Sequence, residues 1–139
     1  MTELPMHILA IEDDATIRQL IHSALRRLGP TINCVPSAGG AYARFTCEHP
    51  DLIILDLMLW TREALDFLRR LRAHPLGTHL PVLLLCDCSA YVAGLPASSH
   101  QTVLTKPFTA RELTESVAGL LPKPMAASPA ELTQLVAAV

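Results

Sequence analysis

The sequence predicts an α/β protein built on a doubly wound parallel sheet with helices on both faces. Four short apolar runs lack the polar alternation of a half-exposed strand, and a fifth run is weaker; they lie at residues 8–11, 52–55, 82–85, 103–104 and 32–35. Such runs are typical of strands covered on both sides. Segments with helical spacing separate the runs, and regular alternation of strand and helix is typical of a parallel sheet.

The segments between the runs predict the helices in order. Asp14 is a typical N-cap for the first helix, which the Gly29-Pro30 pair ends. Helices are also predicted at residues 38–48 and 63–73. The last one, in residues 109–121, opens with the capping-box pattern Thr-Ala-Arg-Glu. Together with the five runs, these helices account for a single α/β domain over residues 1–121.

From residue 122 onward the character of the chain changes. Residues 122–139 contain three prolines and then four apolar residues at the helical spacing i, i+3, i+4, i+7, namely Leu132, Leu135, Val136 and Val139. We therefore expect a proline-containing linker and a short amphipathic helix, which is too short to be stable alone. Three alternatives stay open: the helix docks on its own domain or frays, it forms a homodimer contact, or it leads toward a further segment.

Composition and charge exclude several classes of protein. The chain has 139 residues, 50% of them hydrophobic and 17% charged, which is enough to form the core of one domain. A formal net charge of −2 leaves no basic surplus for direct binding of nucleic acid. No apolar run approaches the roughly 18 residues of a membrane helix, and no signal peptide is recognisable. We expect a cytoplasmic protein without membrane contact.

Charged residues follow the apolar runs at the point where each predicted strand ends. They are Glu12, Asp13 and Asp14 after the first run, Asp56 after the run at 52–55, Asp87 after the run at 82–85, and Lys106 after the last run. The carboxyl ends of parallel strands meet at one edge of a sheet, so these groups should lie together. Like charges about 4 Å apart repel by roughly 1–4 kcal/mol near a surface, so the cluster needs a cation or a raised pKa. Mg²⁺, which is bound by oxygen ligands, satisfies this need.

These residues resemble the receiver domain of two-component response regulators, of the chemotaxis type. The resemblance covers about residues 6–121 and rests on ILAIEDD at 8–14 with Arg18, PDLIILD at 50–56, PVLLL at 81–85 and KPF at 106–108. It implies a flavodoxin-like three-layer sandwich with the strand order 2-1-3-4-5. It also implies a cis peptide bond between Lys106 and Pro107.

The resemblance assigns a role to each residue of the acidic edge. Asp56 would be the phosphoacceptor, and Lys106 would pair with the phosphoryl oxygens. Glu12, Asp13 and Asp56 would hold Mg²⁺, with the backbone carbonyl of Met58 as a further ligand. An aspartate can act as a nucleophile toward phosphorus, and the transfer itself mainly needs positioning and charge neutralisation. The implied partners are a sensor histidine kinase or phosphotransfer protein and an unidentified downstream protein.

Four positions depart from the family pattern. Cys86 stands at the switch position, where the family has Ser or Thr, and Val103 stands where it has an aromatic residue. Trp60 and Ala64 replace the usual proline and glycine after the phosphoacceptor, so the typical path of that loop is not assured. A thiol is a weak hydrogen-bond donor, so we expect poor closure on a phosphoryl group. The segment after Cys86 is short and suits a reduced or irregular helix.

Met58 and Cys88 bear on the lifetime of an aspartyl phosphate. In receiver domains the corresponding side chains help or hinder the attacking water, and neither of these is a good hydrogen-bonding guide for water. The resemblance therefore implies a domain that catalyses its own phosphorylation and only slow dephosphorylation, rather than a classical enzyme.

Three other functions remain alternatives. The chain could be a receiver-like interaction module whose output depends weakly or not at all on phosphate, as the atypical positions suggest. A redox switch would join Cys86 and Cys88, but residues i and i+2 of a strand are roughly 6.6 Å apart, at the upper limit for a disulfide. A flavodoxin-like cofactor binder is least favoured, because residues 12–14 would repel a phosphate group.

Overall fold

A computed structural model describes residues 6–58, 61–87, 95 and 98–121. In chain order the elements are β1 (His7–Ile11), α1 (Ala15–Leu25) with a 3-10 turn (Arg26–Leu28), β2 (Thr31–Val35), α2 (Ala41–Glu48), β3 (Leu52–Asp56), α3 (Thr61–Ala73), β4 (Val82–Cys86), β5 (Gln101–Thr105) and α4 (Ala110–Leu120). The five strands form one sheet in the order β2-β1-β3-β4-β5, and each neighbouring pair is parallel. The predicted fold class and strand order are confirmed.

The sheet is buried on both faces, which explains the unalternated apolar runs. In β1, Leu9 and Ile11 belong to a cluster with buried residues of α2 and α3, whereas Ile8 and Ala10 pack on the other side with α1 and α4. All four of these strand residues are fully buried. The molecule therefore has three layers, with the sheet in the middle.

The ends of α1 and α4 follow the predicted capping signals. The Asp14 side chain accepts hydrogen bonds from the backbone N–H groups of Thr16 and Ile17 at 2.8 and 3.4 Å. Thr109 and Glu112 form the reciprocal capping box that opens α4. Gly29, at φ 72°, ends the turn after α1 in a left-handed conformation that suits glycine. These caps fix where α1 and α4 begin beside the acidic edge.

Two predicted boundaries are corrected. α2 begins at Ala41 rather than at residue 38, because residues 38–40 form a turn and Gly40 offers no side chain to cap an earlier start. β5 spans all of Gln101–Thr105, since its pairing with β4 recruits polar residues on both sides of the apolar pair.

Several predictions lie outside the described residues. They concern Trp60, Cys88, the expected linker and tail helix of residues 122–139, and most of residues 88–98, where the sequence predicts a reduced or irregular helix. Within the described part of the chain, no helix is long and apolar enough to cross a membrane.

Candidate functional site

The carboxyl edge of the sheet brings together three of the predicted acidic residues. Glu12 directly follows β1 and Asp56 ends β3, and their side chains are 0% and 1–2% exposed. Asp13 is exposed beside them. One carboxylate oxygen from each of the three residues lies within 4.8 Å of the other two. Two buried carboxylates and one exposed carboxylate thus converge on a single point.

Lys106 supplies the positive charge at this edge. Its Nζ lies 3.2 Å from Oε1 of Glu12 and 3.2 Å from Oδ2 of Asp56. The backbone N–H of Lys106 donates to the carbonyl of Cys86 at 2.8 Å, which continues the β4–β5 pairing into the loop. The Lys106-Pro107 peptide bond is cis, as the resemblance implied. The side chain therefore reaches back across two strands to the acidic pair.

Backbone groups complete the site, and residue types alone do not predict them. The N–H of Met58 donates to Oδ1 of Asp56 at 2.9 Å. The Arg18 guanidinium donates to the carbonyls of Glu12 and Asp13, each at 2.9 Å, and so holds the acidic loop against α1. Arg18 belonged to the matched motif, but its role was not predicted. The Met58 donor is a backbone N–H, which every residue except proline has, so the residue type does not reveal it.

Burial and neighbouring charges change the pKa values of Glu12 and Lys106. Burial and the neighbouring Asp56 carboxylate together raise the pKa of Glu12 to about 8, against the opposing effect of Lys106. Burial alone would lower the pKa of Lys106, but the carboxylates of Asp56 and Glu12 outweigh it and raise that pKa above its usual value. The Lys106 side chain is therefore a protonated ammonium at neutral pH.

The donor set fits a magnesium ion. All three converging groups are carboxylates, the hard oxygen ligands that Mg²⁺ prefers, and one oxygen of each lies within 4.8 Å of the other two, so the three residues could hold one ion between them. Asp14 is not part of this group and serves as the helix cap. Met58 sits next to the cluster through its N–H, and its carbonyl as a further ligand stays a prediction.

Cys86, at the predicted switch position, is fully buried. It packs with Leu84 and Ala64 in the core cluster on the α2–α3 side, and Val103 is partly buried against that cluster. The Cys86 side chain therefore packs among apolar side chains.

Fold and site together define a flavodoxin-like α/β domain with an acidic, lysine-containing site at the carboxyl edge of its sheet. The family model of the response regulator receiver domain matches residues 8–118. The chain belongs to this family, and it is a receiver domain of two-component response regulators.

Relatives and solved structures agree with this membership. The chain is 34% identical over 119 residues to the two-component response regulator PhoP of Pseudomonas aeruginosa, covering 84% of this chain and 52% of that protein. It is 35% identical over 126 residues to SphR of Synechococcus elongatus, an alkaline phosphatase synthesis transcriptional regulatory protein, covering 82% of this chain and 48% of that protein. The chain therefore spans about half the length of these relatives.

Two crystal structures are similar in fold. A response regulator from Chloroflexus aurantiacus superposes with a TM-score of 0.74 at 31% identity, covering 84% of this chain and 98% of the other. The receiver domain of a sensor histidine kinase from Pseudomonas aeruginosa has a TM-score of 0.71 at 23% identity, covering 84% and 98%, and that structure holds a magnesium ion in its active site cleft.

Proposed function

We propose that Asp56 accepts a phosphoryl group, in a reaction that depends on Mg²⁺ held by Glu12, Asp13 and Asp56. The observation that carries this proposal is the placement of Asp56 itself. Its nearly buried carboxylate faces the Lys106 ammonium at 3.2 Å and shares a cluster of carboxylate oxygens within 4.8 Å. Charge of both signs is therefore arranged around one nucleophile.

In the proposed reaction, a carboxylate oxygen of Asp56 forms a bond to phosphorus as the bond between phosphorus and the donor breaks. The electron pair of the broken bond leaves with the donor, which is the imidazole of a phosphohistidine or the carboxylate of an acyl phosphate. The Met58 N–H orients Asp56 through Oδ1, and Lys106 stabilises the negative charge on the phosphoryl oxygens. A magnesium ion bound to the three carboxylates would supply further charge neutralisation.

The partners are proposed on the same basis. A sensor histidine kinase or phosphotransfer protein would supply the phosphoryl group, and a downstream protein would read the phosphorylated domain. A homodimer and a cytoplasmic location stay predictions, as does the absence of direct contact with nucleic acid or membrane. The chain covers about half of these relatives, and their outputs are properties of those longer proteins.

Removal of the metal tests the proposal. Incubation with acetyl phosphate and Mg²⁺ is expected to add the mass of one phosphoryl group, with the lability toward hydroxylamine that is typical of an acyl phosphate. Chelation with EDTA is expected to abolish the addition, because three acidic side chains and an anionic donor would then meet without a divalent cation. Intact-mass spectrometry measures both reactions. Equal labelling with and without metal would contradict the magnesium site.

The lifetime of the aspartyl phosphate gives a second prediction. Met58, which is partly buried next to Asp56, offers the attacking water no hydrogen bond. Met58→Asn is expected to speed dephosphorylation by about fivefold, the effect of one hydrogen bond of about 1 kcal/mol in the transition state. Met58→Leu, which is apolar and of similar size, is the control and should retain the slow rate. If the half-life of the aspartyl phosphate is unchanged in Met58→Asn, the Met58 side chain does not set the rate of dephosphorylation.

The buried thiol favours a second candidate function. Cys86 packs in an apolar cluster, and Val103 has little bulk to report a movement. A receiver-like interaction module, whose output depends weakly on phosphorylation, is consistent with these two residues. The two candidates differ in how far phosphorylation moves the β4–β5 region.

A further inference from the structure

Asp87 is a charged residue next to the site that the proposed reaction does not use. It is exposed and directly follows Cys86 at the end of β4. Together with Lys106 it lines an open cavity of about 480 Å³, whose other described lining residues are Ile17, Leu20, Pro107 and Phe108. Lys106 also contacts Asp56, with 3.2 Å between Nζ and Oδ2, so this one side chain links the cavity to the phosphoacceptor.

No residue in the described ranges forms an ion pair that neutralises Asp87. Asp87 is not one of the three carboxylates that converge on the metal position. Among the described residues, none of the ion pairs includes Asp87. Lys106, which shares the cavity with it, is already paired with Glu12 and Asp56. Within the described part of the chain, Asp87 therefore adds a negative charge to the cavity that no ion pair compensates.

We propose that Asp87 determines which phosphodonors the site accepts, by repelling small anionic donors that enter through this cavity. The inference rests on the proposed phosphoacceptor function of Asp56. Charges within about one Debye length of each other, roughly 10 Å at 0.1 M salt, interact appreciably, so the charge of Asp87 acts on an anion that enters the cavity it lines. A protein donor can place a basic side chain opposite Asp87, whereas a small acyl phosphate carries no compensating charge.

Asp87 takes no part in the chemical step. With acetyl phosphate, an oxygen of Asp56 bonds to phosphorus, the bond between phosphorus and the acetate oxygen breaks, and acetate leaves with the electron pair. Asp87 neither gives nor takes a proton, and acts only through its charge on the approaching donor. Its effect should therefore scale with the charge of the donor and should fall as salt rises.

Asp87→Asn tests the proposal, because it removes the charge and keeps the size of the side chain. Phosphorylation by acetyl phosphate, a dianion, is expected to be roughly two- to fivefold faster at saturating Mg²⁺, the effect of one unit charge on a dianion about 10 Å away in water. Phosphoramidate, which carries less negative charge, should gain less. In roughly 1 M salt, where the Debye length is about 3 Å, the gain should disappear.

Asp66→Asn is the matched control. Asp66 is an exposed carboxylate on α3, so this variant changes the net charge equally and should leave both rates unchanged. Equal rates for Asp87→Asn and the wild type, or an equal gain with both donors, would overturn the role of Asp87. Failure of every variant to accept phosphoryl with Mg²⁺ would overturn the proposed function and this inference with it.

Discussion

Glu12→Gln is expected to weaken Mg²⁺ binding while it makes the metal-free protein more stable. Glu12 is fully buried beside Asp56, and burial together with that carboxylate raises its pKa to about 8. The neutral amide removes the buried charge and keeps the shape of the side chain. It also removes an anionic ligand, so Mg²⁺ affinity should fall by more than the roughly 10–100-fold typical of losing an outer-shell partner.

The gain in stability should depend on pH in a defined direction. The pKa of Glu12 lies near 4.5 in the unfolded chain and about 8 in the folded protein, so the folded state binds more protons between these values. The free energy of unfolding of the wild type therefore falls as pH rises through this window, whereas Gln does not titrate. The advantage of Glu12→Gln should grow from about pH 5 to pH 8, to more than about 1 kcal/mol.

Asp13→Asn provides the matched control for this prediction. Asp13 is exposed at the same cluster, so the variant should also lose Mg²⁺ affinity but should gain little stability. Denaturant titrations at several pH values and calorimetric titration with Mg²⁺ measure the two effects. A Glu12→Gln protein that is less stable than the wild type at every pH would show that the ionised carboxylate stabilises the fold.

Cys86→Thr is expected to enlarge the structural response to phosphorylation. Phosphoryl binding shifts a two-state domain only by the difference in its interaction energy with the two states. A charge-assisted hydrogen bond from a hydroxyl contributes about 1.5–3 kcal/mol to that difference, and a thiol forfeits most of it. Restoring the hydroxyl should therefore raise the ratio of active to inactive populations roughly ten- to over a hundredfold.

Cys86→Val separates the hydroxyl from a change in side-chain shape. Valine and threonine have nearly the same size, and position 86 is fully buried, so packing changes should be similar in the two variants. Amide chemical shifts of Val103 and Thr105, with and without Mg²⁺ and beryllofluoride, measure the response. We expect small shifts in the wild type and in Cys86→Val, and large shifts in Cys86→Thr. Amide shifts in the wild type as large as those in Cys86→Thr would contradict this prediction.

Much of the fold could be predicted because local signals and burial agree. The three central strands, β1, β3 and β4, are unalternated apolar runs, and nearly all of their residues are buried. Asp14 and Thr109 cap the helices that their sequence signatures predicted. The start of α2 was wrong by three residues because nothing in the sequence distinguishes a helical turn from the turn at 38–40.

The site could be predicted only in part. Topology brings Glu12, Asp56 and Lys106 together, since each follows a strand of the same parallel sheet. The complete burial of Glu12 and the Met58 N–H on Asp56 depend on the path of the loops, which no residue type records. Arg18 was visible in the sequence, but its bonds to two backbone carbonyls follow from the geometry of α1.

Mapping of the modified residue shows directly whether Asp56 carries the phosphoryl group. The wild type is labelled with Mg²⁺ and acetyl phosphate, digested at low pH, and analysed by tandem mass spectrometry beside Asp56→Asn. We predict that the phosphoryl group is found on Asp56 in the wild type and that Asp56→Asn takes up none. A phosphoryl group on another residue of the wild type, or undiminished labelling of Asp56→Asn, would contradict the account.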